Sequence, residues 1–255
     1  MKRILPVLRW PGGKSRHLKT LLPMILPHET YVEVFAGGLA VLLAKEKSSR
    51  EVINDTNEDL VCFYRNARFH LPALLDELDG LNARAEFDRA RDSLPATEIQ
   101  RAARWFLLNA MSWGGKGENF GLGSAAVSRQ GKLDRIKALS ARLDRVVVEK
   151  LDYRKCLKAY DRVNTFFFID PPYLNCDPGA YEGWNVEQMQ ELAAAILKLK
   201  GQWVLTVDDS PENREIFTEH ELLGTVIRNQ LNNCRKGEVK EMRELIIRPL
   251  RRPEA

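Results

Sequence analysis

The sequence predicts an α/β fold with a mostly parallel sheet, into which a mainly helical segment is inserted. Three observations support this prediction. Apolar, β-rich runs that end in an acid alternate with helical stretches before residue 60 and again after residue 145. The residues between these parts lose that rhythm and have a helical pattern. Two late runs, LGTVIRNQ and RELIIRPL, are suited to pair antiparallel at one edge of the sheet.

The first strand–helix–strand pattern lies at residues 31–55. YVEVFA at 31–36 is rich in β-forming residues, Gly37 and Gly38 interrupt it, and LAVLLAKEK at 39–47 is helical. EVIND at 51–55 is a second strand that ends in an acid. This alternation is typical of parallel strands joined by helical crossovers.

The middle of the chain, from about 60 to 145, is mostly helical and is interrupted by the glycine-rich loop or hairpin SWGGKGENFGLGS at 112–124. The α/β pattern returns with strands at 146–152, 165–170 and 202–209 and an amphipathic helix over 186–200. We therefore predict a discontinuous main domain, residues 1–62 and 146–255, with residues 63–145 inserted as a second domain.

The charge of the chain is unevenly distributed. Its 255 residues, 44% of them hydrophobic, carry a net charge of +4. Residues 65–98 hold five Lys or Arg against seven Asp or Glu, whereas residues 99–145 hold nine against three. A regional excess of basic residues is compatible with nucleic acid as a partner, although it also suits a solubilising surface.

The cysteines give no sign of a metal site. They are far apart, without a CxxC pair or nearby histidines, so we expect reduced thiols and no metal: Cys62, Cys156, Cys176 and Cys234. No stretch reaches about 18 apolar residues, and MKRILPVL at the start lacks a small-residue cleavage site. We expect a soluble, intracellular protein with no membrane partner.

EVFAGG and the acid at Asp55, eighteen residues after Gly37, suit a nucleoside site. Glycines let a ligand approach the backbone, and an acid at the end of the next strand accepts hydrogen bonds from ribose hydroxyls. Leu39 stands where a spaced second glycine is expected in a dinucleotide-binding loop, which disfavours that fold. The alternative is a tight turn followed by an acid that caps a helix.

TFFFIDPPYL at 165–174 is the most specific stretch. Its apolar run is typical of a fully buried strand, so Asp170 should lie where that strand leaves the core. An aromatic amine is a poor nucleophile, and Asp170 and the carbonyl of Pro171 can accept its two hydrogens as the nitrogen attacks an electrophilic methyl group. Pro172 contributes no N–H donor, and Tyr173 can stack on the ring. The alternative is a strand end with a Pro-Pro turn and a buried tyrosine.

Five segments in this order resemble the Dam-type DNA adenine-specific methyltransferases, which are DPPY amino-methyltransferases: LRWPGGKSR (8–16), YVEVFAGGLAV (31–41), INDTNEDL (53–60), FFIDPPYL and VLTVDDS. The resemblance covers the α/β part almost end to end, and RWPGGK at the N-terminus is its most telling element. It implies a Rossmann-like S-adenosylmethionine-dependent methyltransferase sheet, mostly parallel with an antiparallel last strand. The mainly helical insertion is then a DNA target-recognition domain.

The resemblance also implies roles for individual residues. S-adenosylmethionine is the expected cofactor, S-adenosylhomocysteine the product and double-stranded DNA the partner. The catalytic tetrapeptide is Asp170, Pro171, Pro172 and Tyr173. Lys14 is matched to the cofactor's carboxylate, Asp55 to its ribose, and Asp152 with Tyr153 to its adenine. The full set of cofactor-binding positions is Trp10, Lys14, Glu33, Phe35, Gly37, Asp55, Asp152, Tyr153 and Asp170.

Several positions depart from the family pattern. Arg9 and Pro11 replace the usual Lys and Ala around the tryptophan, and Gly38-Leu39 replaces a small residue followed by glycine. The segment 108–124 lacks the Asn-Arg and Phe-Asn-Gly-Leu elements of the DNA-reading hairpin, so the resemblance does not extend to a GATC target. Arg9, Lys116 and Arg129 are the expected DNA contacts.

The expected reaction is methyl transfer to the N6 amine of adenine, after the base leaves the duplex stack. It needs no metal, covalent nucleophile or general-base histidine, and we expect a monomer. Three alternatives remain: an N4-cytosine DNA methyltransferase, an RNA or protein amino-methyltransferase, and a DNA-binding protein that has lost catalysis. Asp before Pro-Pro favours adenine over cytosine, and RWPGGK with the basic insertion favours DNA over RNA or protein.

Overall fold

The computed structural model describes residues 4–78, 83–121, 128–174, 184–228 and 241–250. The chain divides into two compact units. The first comprises Met1–Pro23 and Ala36–Asp152, and the second comprises Met24–Phe35 and Tyr153–Ala255. The predicted insertion at 63–145 lies within the first unit, and its status as a separate domain stays a prediction.

The described residues form a seven-stranded sheet in the order β3-β2-β1-β4-β5-β7-β6. The strands are β1 (Thr30–Glu33), β2 (Arg50–Asn54), β3 (Val146–Glu149), β4 (Thr165–Ile169), β5 (Gln202–Asp208), β6 (Glu221–Arg228) and β7 (Glu241–Arg248). The pairs β2–β3, β1–β4 and β4–β5 are parallel, whereas β7 is antiparallel to both β5 and β6. The predicted Rossmann-like sheet with an antiparallel last strand is confirmed.

Helices precede and separate these strands. Those described are α1 (Leu18–Leu21), α2 (Ala40–Ala44), α3 (Glu58–Phe69), α4 (Leu71–Asp76), α5 (Arg84–Asp92), α6 (Glu98–Met111), α7 (Arg129–Leu143), α8 (Tyr153–Tyr160), α9 (Val186–Ile196) and α10 (Pro211–Ile216). Short 3-10 turns lie at Lys14–Arg16, Leu22–Met24 and Trp113–Gly115.

The first unit is built around α3 and α6. Asn57 and Thr97 cap these helices by accepting hydrogen bonds from backbone N–H groups in their first turns. Phe63 of α3 stacks on Phe106 of α6 with ring centroids 5.2 Å apart, and both rings are fully buried. The described part of the predicted helical insertion therefore contains a buried aromatic pair.

The second unit has β4 at its centre. All five residues of this strand are buried, as its unbroken apolar run predicts, because parallel strands lie on both sides of it. Tyr31 of β1 stacks on Phe166 of β4 with an interplanar angle of 5°. This packing fixes the position of β4, and Asp170 is the first residue after that strand.

Two helices are shorter than their sequence patterns predict. Helix α2 ends at Ala44 because the backbone of Lys45 is extended, with its Nζ donating to Glu51 at 2.6 Å. Helix α9 ends at Ile196 rather than Lys200. The N–H groups of Lys200 and Gly201 donate instead to Asp161 Oδ1, at 2.8 and 3.0 Å. In both cases a contact distant in sequence overrides local helical preference.

Candidate active site

In the first unit, the Gly37–Gly38 turn packs directly against Trp10. The φ of Gly37 is +45°, and a Cβ on this residue would lie 2.7 Å from Trp10 Nε1. A Cβ on Gly38 would lie 3.1 Å from Trp10 Cβ. Only glycine fits position 37, because both the conformation and the contact exclude a side chain. The opening segment and the glycine turn, distant in sequence, therefore form one surface.

Asp55 follows β2 and holds the same turn. Its Oδ2 accepts a hydrogen bond from the N–H of Gly37 at 3.1 Å, and its Oδ1 accepts one from Asn57 at 2.9 Å. Burial raises the pKa of Asp55 above its ordinary value, although these backbone donors act in the opposite direction. Tyr64 donates its hydroxyl to the carbonyl of Gly37 at 2.5 Å. Both polar groups of the Gly37 backbone are thus held.

The side chain of Asn54, at the end of β2, fixes the chain that follows β3. Its Nδ2 donates to the carbonyl of Leu151 at 3.0 Å, and its Oδ1 accepts from the N–H of Leu151 at 2.8 Å. Asp152 is the next residue and is half-buried. Because β2 and β3 are parallel, Asp55 and Asp152 follow adjacent strands at the same edge of the sheet.

Lys14 is almost completely buried, at 3% exposure. Its Nζ donates to the carbonyl of Gly12 at 2.6 Å, and the N–H of Gly13 donates to the carbonyl of Trp10 at 3.2 Å. The RWPGGK segment is therefore a compact turn that holds its own lysine. The expected pairing of Lys14 with a ligand carboxylate stays a prediction.

Arg9 is anchored to the end of α6 and to the segment 112–121, which we call the 112–121 hairpin. The N–H of Arg9 donates to Asn109 Oδ1 at 3.0 Å, and Asn109 Nδ2 donates back to the carbonyl of Arg9 at 2.9 Å. Arg9 Nη1 donates to the carbonyl of Ser112 at 3.2 Å. Ser112 is bridged to Phe120, which closes the hairpin. Arg9 thus belongs to the hairpin surface as well as to the opening segment.

Lys132, in α7, carries a perturbed charge close to Arg9. It is 7% exposed, and burial, with the positive charges of Arg9 and Arg135, lowers its pKa to about 8. Like charges depress a lysine pKa in this way only at short range, so three cations are concentrated here. Lys116 is exposed on the 112–121 hairpin, and Arg129 is the first residue of α7.

In the second unit, three aromatic rings pack together beyond β1. Phe35 lies 5.8 Å from Tyr153 and 5.7 Å from Trp184, and Tyr153 lies 5.8 Å from Trp184, between ring centroids. We call these three residues the aromatic cluster. Glu33, at the end of β1, is 1% exposed and accepts the hydroxyl hydrogen of Tyr31 at 2.9 Å. Glu33 is thereby held inside this unit.

Asp170 lies where β4 leaves the core. Its Oδ1 accepts a hydrogen bond from the Thr206 hydroxyl of β5 at 2.7 Å, and Thr206 is completely buried. Pro171 is buried, while Pro172 is half-buried. The next N–H in the chain beyond Tyr173, that of Leu174, donates to Asp208 Oδ1 at 3.0 Å. Both ends of the tetrapeptide are therefore tied to β5.

Tyr173 is surrounded by carboxylates of the second unit. Burial raises the pKa of its hydroxyl well above the ordinary value, and the negative charges of Asp170, Glu244 and Asp208 add to the shift. Asp208 and Glu244 are direct cross-strand partners of β5 and β7 and are both buried. Tyr173 therefore stays protonated at neutral pH, with its hydroxyl facing an acidic environment.

Residues 10–230 match a family model described as D12 class N6 adenine-specific DNA methyltransferase. The match covers far more than half of the chain. The chain belongs to this family. It is accordingly a DNA adenine methyltransferase, which confirms the enzyme class expected from the sequence.

Two curated relatives support membership of the D12 class. The chain is 28% identical to the type II methyltransferase M.MjaIII of Methanocaldococcus jannaschii over 201 residues, which is 67% of this chain and 69% of the relative. It is 25% identical to the type II methyltransferase M1.LlaDCHI of Lactococcus lactis subsp. cremoris, with 93% of each chain covered.

Solved structures superpose only loosely on this D12 class chain. A precorrin 8W decarboxylase of Methanobacterium thermoautotrophicum has a TM-score of 0.43 at 12% identity, with 94% of each chain covered. A SAM-dependent O-methyltransferase of Thermotoga maritima has a TM-score of 0.37 at 10% identity, covering 96% of this chain and 67% of that one. Superpositions at this level carry no functional argument.

The sequence-predicted residues of this D12 class methyltransferase fall into groups that are in contact within each unit. Trp10, Gly37 and Asp55 meet in the first unit, as do Arg9 and the 112–121 hairpin. In the second unit Phe35 meets Tyr153, and Asp170 influences Tyr173. Their roles toward cofactor and DNA stay predictions.

The sequence assigned no individual role to four residues that interact with the predicted positions: Tyr64, Thr206, Asp208 and Trp184. Thr206 had a signal, because it is the polar residue in the middle of the apolar strand QWVLTVD. No feature of the sequence pointed to Tyr64, since a tyrosine on a helix usually packs in the core. Among the described residues, no helix is long and apolar enough to cross a membrane, and no group of His, Cys, Asp or Glu could hold a metal ion.

Proposed function

We propose that this chain transfers a methyl group from S-adenosylmethionine to the N6 amine of adenine in duplex DNA, by base flipping and direct in-line transfer. The family membership supports adenine in DNA as the substrate. The tetrapeptide at the end of β4, with Asp170 held by Thr206, supports the amine chemistry. The proposed product is S-adenosylhomocysteine.

The residues of the glycine turn fit the cofactor. Asp55 accepts backbone hydrogen bonds from Gly37 and Asn57, with further ones from Thr56 and Ala36, and its carboxylate is the proposed partner of the ribose hydroxyls. Lys14 supplies a cation for a carboxylate, and Trp10 forms the wall behind Gly37. Glu33, Phe35, Asp152 and Tyr153 complete the proposed cofactor set. When bound, S-adenosylmethionine supplies a methyl group that its sulfonium makes electrophilic.

The carboxylate of Asp170 and the carbonyl of Pro171 accept hydrogen bonds from the two N–H groups of the target amine. The Thr206 hydroxyl donates a hydrogen bond to Asp170 Oδ1 and so fixes the orientation of the carboxylate. Acceptors placed where positive charge grows on nitrogen stabilise the transition state more than the ground state. Pro172 adds no competing donor, and the ring of Tyr173 stacks on the base and holds it in line for transfer.

The target adenine has to leave the duplex stack, at a cost of a few kcal/mol. Arg9, Lys116 and Arg129 are proposed to contact DNA and offset part of that cost. Lys132, which is buried, and Arg135 add positive charge close to Arg9 within the first unit. The relatives are named type II methyltransferases, and we propose a restriction-modification role in the bacterial or phage-infected cytoplasm.

The observation that carries this proposal is the Thr206–Asp170 hydrogen bond at the exit of β4. Nucleoside analysis of duplex DNA treated with the purified chain should detect N6-methyladenine. Asp170→Ala should abolish it. Thr206→Val keeps the volume but removes the donor, and should lower kcat by about tenfold or more with little change in the thermal midpoint.

Three results would contradict the proposal. N4-methylcytosine as the product would identify the cytosine alternative. Label transferred to RNA or protein, with none in duplex DNA, would identify a different amino-methyltransferase. Undiminished methylation by Asp170→Ala would remove the role given to this residue.

A further inference from the structure

Trp184 is the member of the aromatic cluster to which neither the sequence nor the family match assigns a role. It meets Phe35 and Tyr153 edge to face, with interplanar angles of 84° and 69°. The next residue, Asn185, caps α9 by accepting a hydrogen bond from Gln188 at 3.0 Å. The indole therefore packs on two rings, and Trp184 immediately precedes the N-cap residue of α9.

The indole N–H of Trp184 is buried and has no hydrogen-bond acceptor among the residues that the structure describes. Tryptophan N–H groups usually find a partner when they are buried, because an unsatisfied buried donor is costly. Indole nitrogen only donates, so the missing partner has to be an acceptor. A ligand that brings such an acceptor would remove the cost.

The position of the cluster indicates where that ligand comes from. Phe35 follows β1, and the N–H of Val34 donates to the carbonyl of Phe168 in β4 at 3.1 Å. Because β1 and β4 are parallel, the chain beyond β1 emerges at the same edge as Asp170 beyond β4. Ligands of open α/β sheets bind at the carboxyl ends of the strands.

The chemistry of the cluster selects a flat heteroaromatic ring. Phe35 and Tyr153 offer aromatic surface, which stacks favourably on nucleobases. Adenine combines a flat ring with nitrogens that accept hydrogen bonds, whereas an aliphatic chain has no acceptor. Both the cofactor and the target base of the proposed reaction contain adenine.

We propose that Trp184 binds an adenine ring, with its indole N–H donating to a ring nitrogen while Phe35 and Tyr153 contact the ring. This inference rests on the proposed function, since that function supplies both sources of adenine. Trp184 is then a specificity residue, because a ring without an acceptor at that point leaves the indole N–H unsatisfied.

The test compares Trp184→Phe with Trp203→Phe as a matched control. Trp203 is 5% exposed in β5 of the same unit and packs on His220. Titration calorimetry measures affinity for S-adenosylhomocysteine without DNA, and steady-state kinetics measures KM for duplex DNA. Trp184→Phe keeps aromatic bulk, so the loss of one hydrogen bond should weaken one of these two by about tenfold. Trp203→Phe should change neither.

The calorimetry and the kinetics distinguish the adenine of the cofactor from the adenine of the target base. Weaker S-adenosylhomocysteine binding assigns Trp184 to the cofactor, and analogues with 1-, 3- or 7-deazaadenine should then identify the accepting nitrogen as the one whose removal abolishes the difference between Trp184→Phe and wild type. A raised KM for DNA with unchanged S-adenosylhomocysteine affinity assigns it to the flipped base. If neither changes while wild type methylates adenine, the inference is wrong and the proposed function stands. If wild type neither binds S-adenosylhomocysteine nor methylates DNA, the proposed function itself is wrong.

Discussion

Leu39 has a backbone conformation that a leucine rarely adopts. Its φ is 57° and its ψ 29°, immediately before α2, and its side chain is 1% exposed. The left-handed region costs a residue with a Cβ about 1–2 kcal/mol. This is the position at which the sequence departs from the glycine of related loops, and the side chain offsets the strain by filling the core.

We expect Leu39→Gly to destabilise the chain less than Leu39→Ala, by about 1 kcal/mol in the free energy of unfolding, because both lose the same packing but only glycine relieves the strain. Urea unfolding measures the difference. Leu42→Ala and Leu42→Gly are the matched pair, since Leu42 is fully buried in the middle of α2. There glycine should be the worse substitution, and the same order at both positions would refute the strain at Leu39.

For individual residues, the sequence predicted positions that depend on neighbouring residues, but it did not predict hydrogen bonds to partners distant in the chain. The position of Asp170 followed from one apolar run and a change of composition after it. The hydrogen bond from Thr206 did not, because it joins residues 36 positions apart through strand pairing. The hydrogen bond from Gly37 to Asp55 could have been predicted, because an acid that follows one strand and a glycine that follows another meet at a common sheet edge.

At the scale of elements, a buried ionic network joins α7 to β2 in the first unit. Arg142 of α7 donates through Nη1 and Nη2 to the two carboxylate oxygens of Glu51, and Lys45 donates to the same carboxylate. Arg142 also donates to the carbonyl of Leu42 at 3.0 Å. Burial alone would raise the pKa of Glu51, but the hydrogen bonds from Arg142 and Lys45 outweigh it and lower that pKa.

Glu51→Gln should therefore cost about 3 kcal/mol of unfolding free energy at pH 7, because it leaves Arg142 buried without its counter-charge. The lowered folded-state pKa means that the ionised Glu51 contributes stability above the unfolded pKa near 4.5. That contribution is lost as the pH falls through the folded-state pKa. The difference between wild type and Glu51→Gln should accordingly shrink in acid.

Urea unfolding at pH 7 and in acid measures this difference. Asp134→Asn, which removes the exposed pair with Lys137, is the control and should cost less than about 1 kcal/mol at either pH. A Glu51→Gln cost that does not change with pH would show that the network stabilises by packing rather than by charge.

Element-scale prediction placed each strand within a few residues but overestimated two helices. Strands ended where apolar runs ended, because burial dictates both. Helices α2 and α9 ended early because Glu51 and Asp161 engage the residues at their C-terminal ends. Such contacts are set by tertiary structure, which a periodic pattern cannot contain.

At the scale of the whole molecule, the net charge of +4 understates the local charge of the proposed DNA surface. Residues 99–145 carry nine Lys or Arg against three Asp or Glu, although Arg142 is buried against Glu51 and does not belong to that surface. Phosphate contacts release counterions, so affinity falls as salt rises. The sequence predicted this surface as an excess of charge, whereas the folding of Arg9 onto the 112–121 hairpin required the structure.

We expect Lys116→Ala and Arg129→Ala each to reduce the slope of log affinity against log salt concentration by about 0.9, if each cation neutralises one phosphate. Fluorescence anisotropy of a labelled duplex at several salt concentrations measures the slope. Lys198→Ala, an exposed lysine of the second unit, is the control and should leave it unchanged. Equal slopes for all four proteins would remove Lys116 and Arg129 from the DNA contacts.

The reciprocal hydrogen bonds between Arg9 and Asn109 also bear on the order in which segments of the first unit fold during translation. Arg9 precedes its anchor Asn109 by 100 residues, so it leaves the exit tunnel before that partner. Trp10 can pack on Gly37 and Gly38 early in translation, whereas the backbone of Arg9 stays unpaired with Asn109 until α6 has been translated.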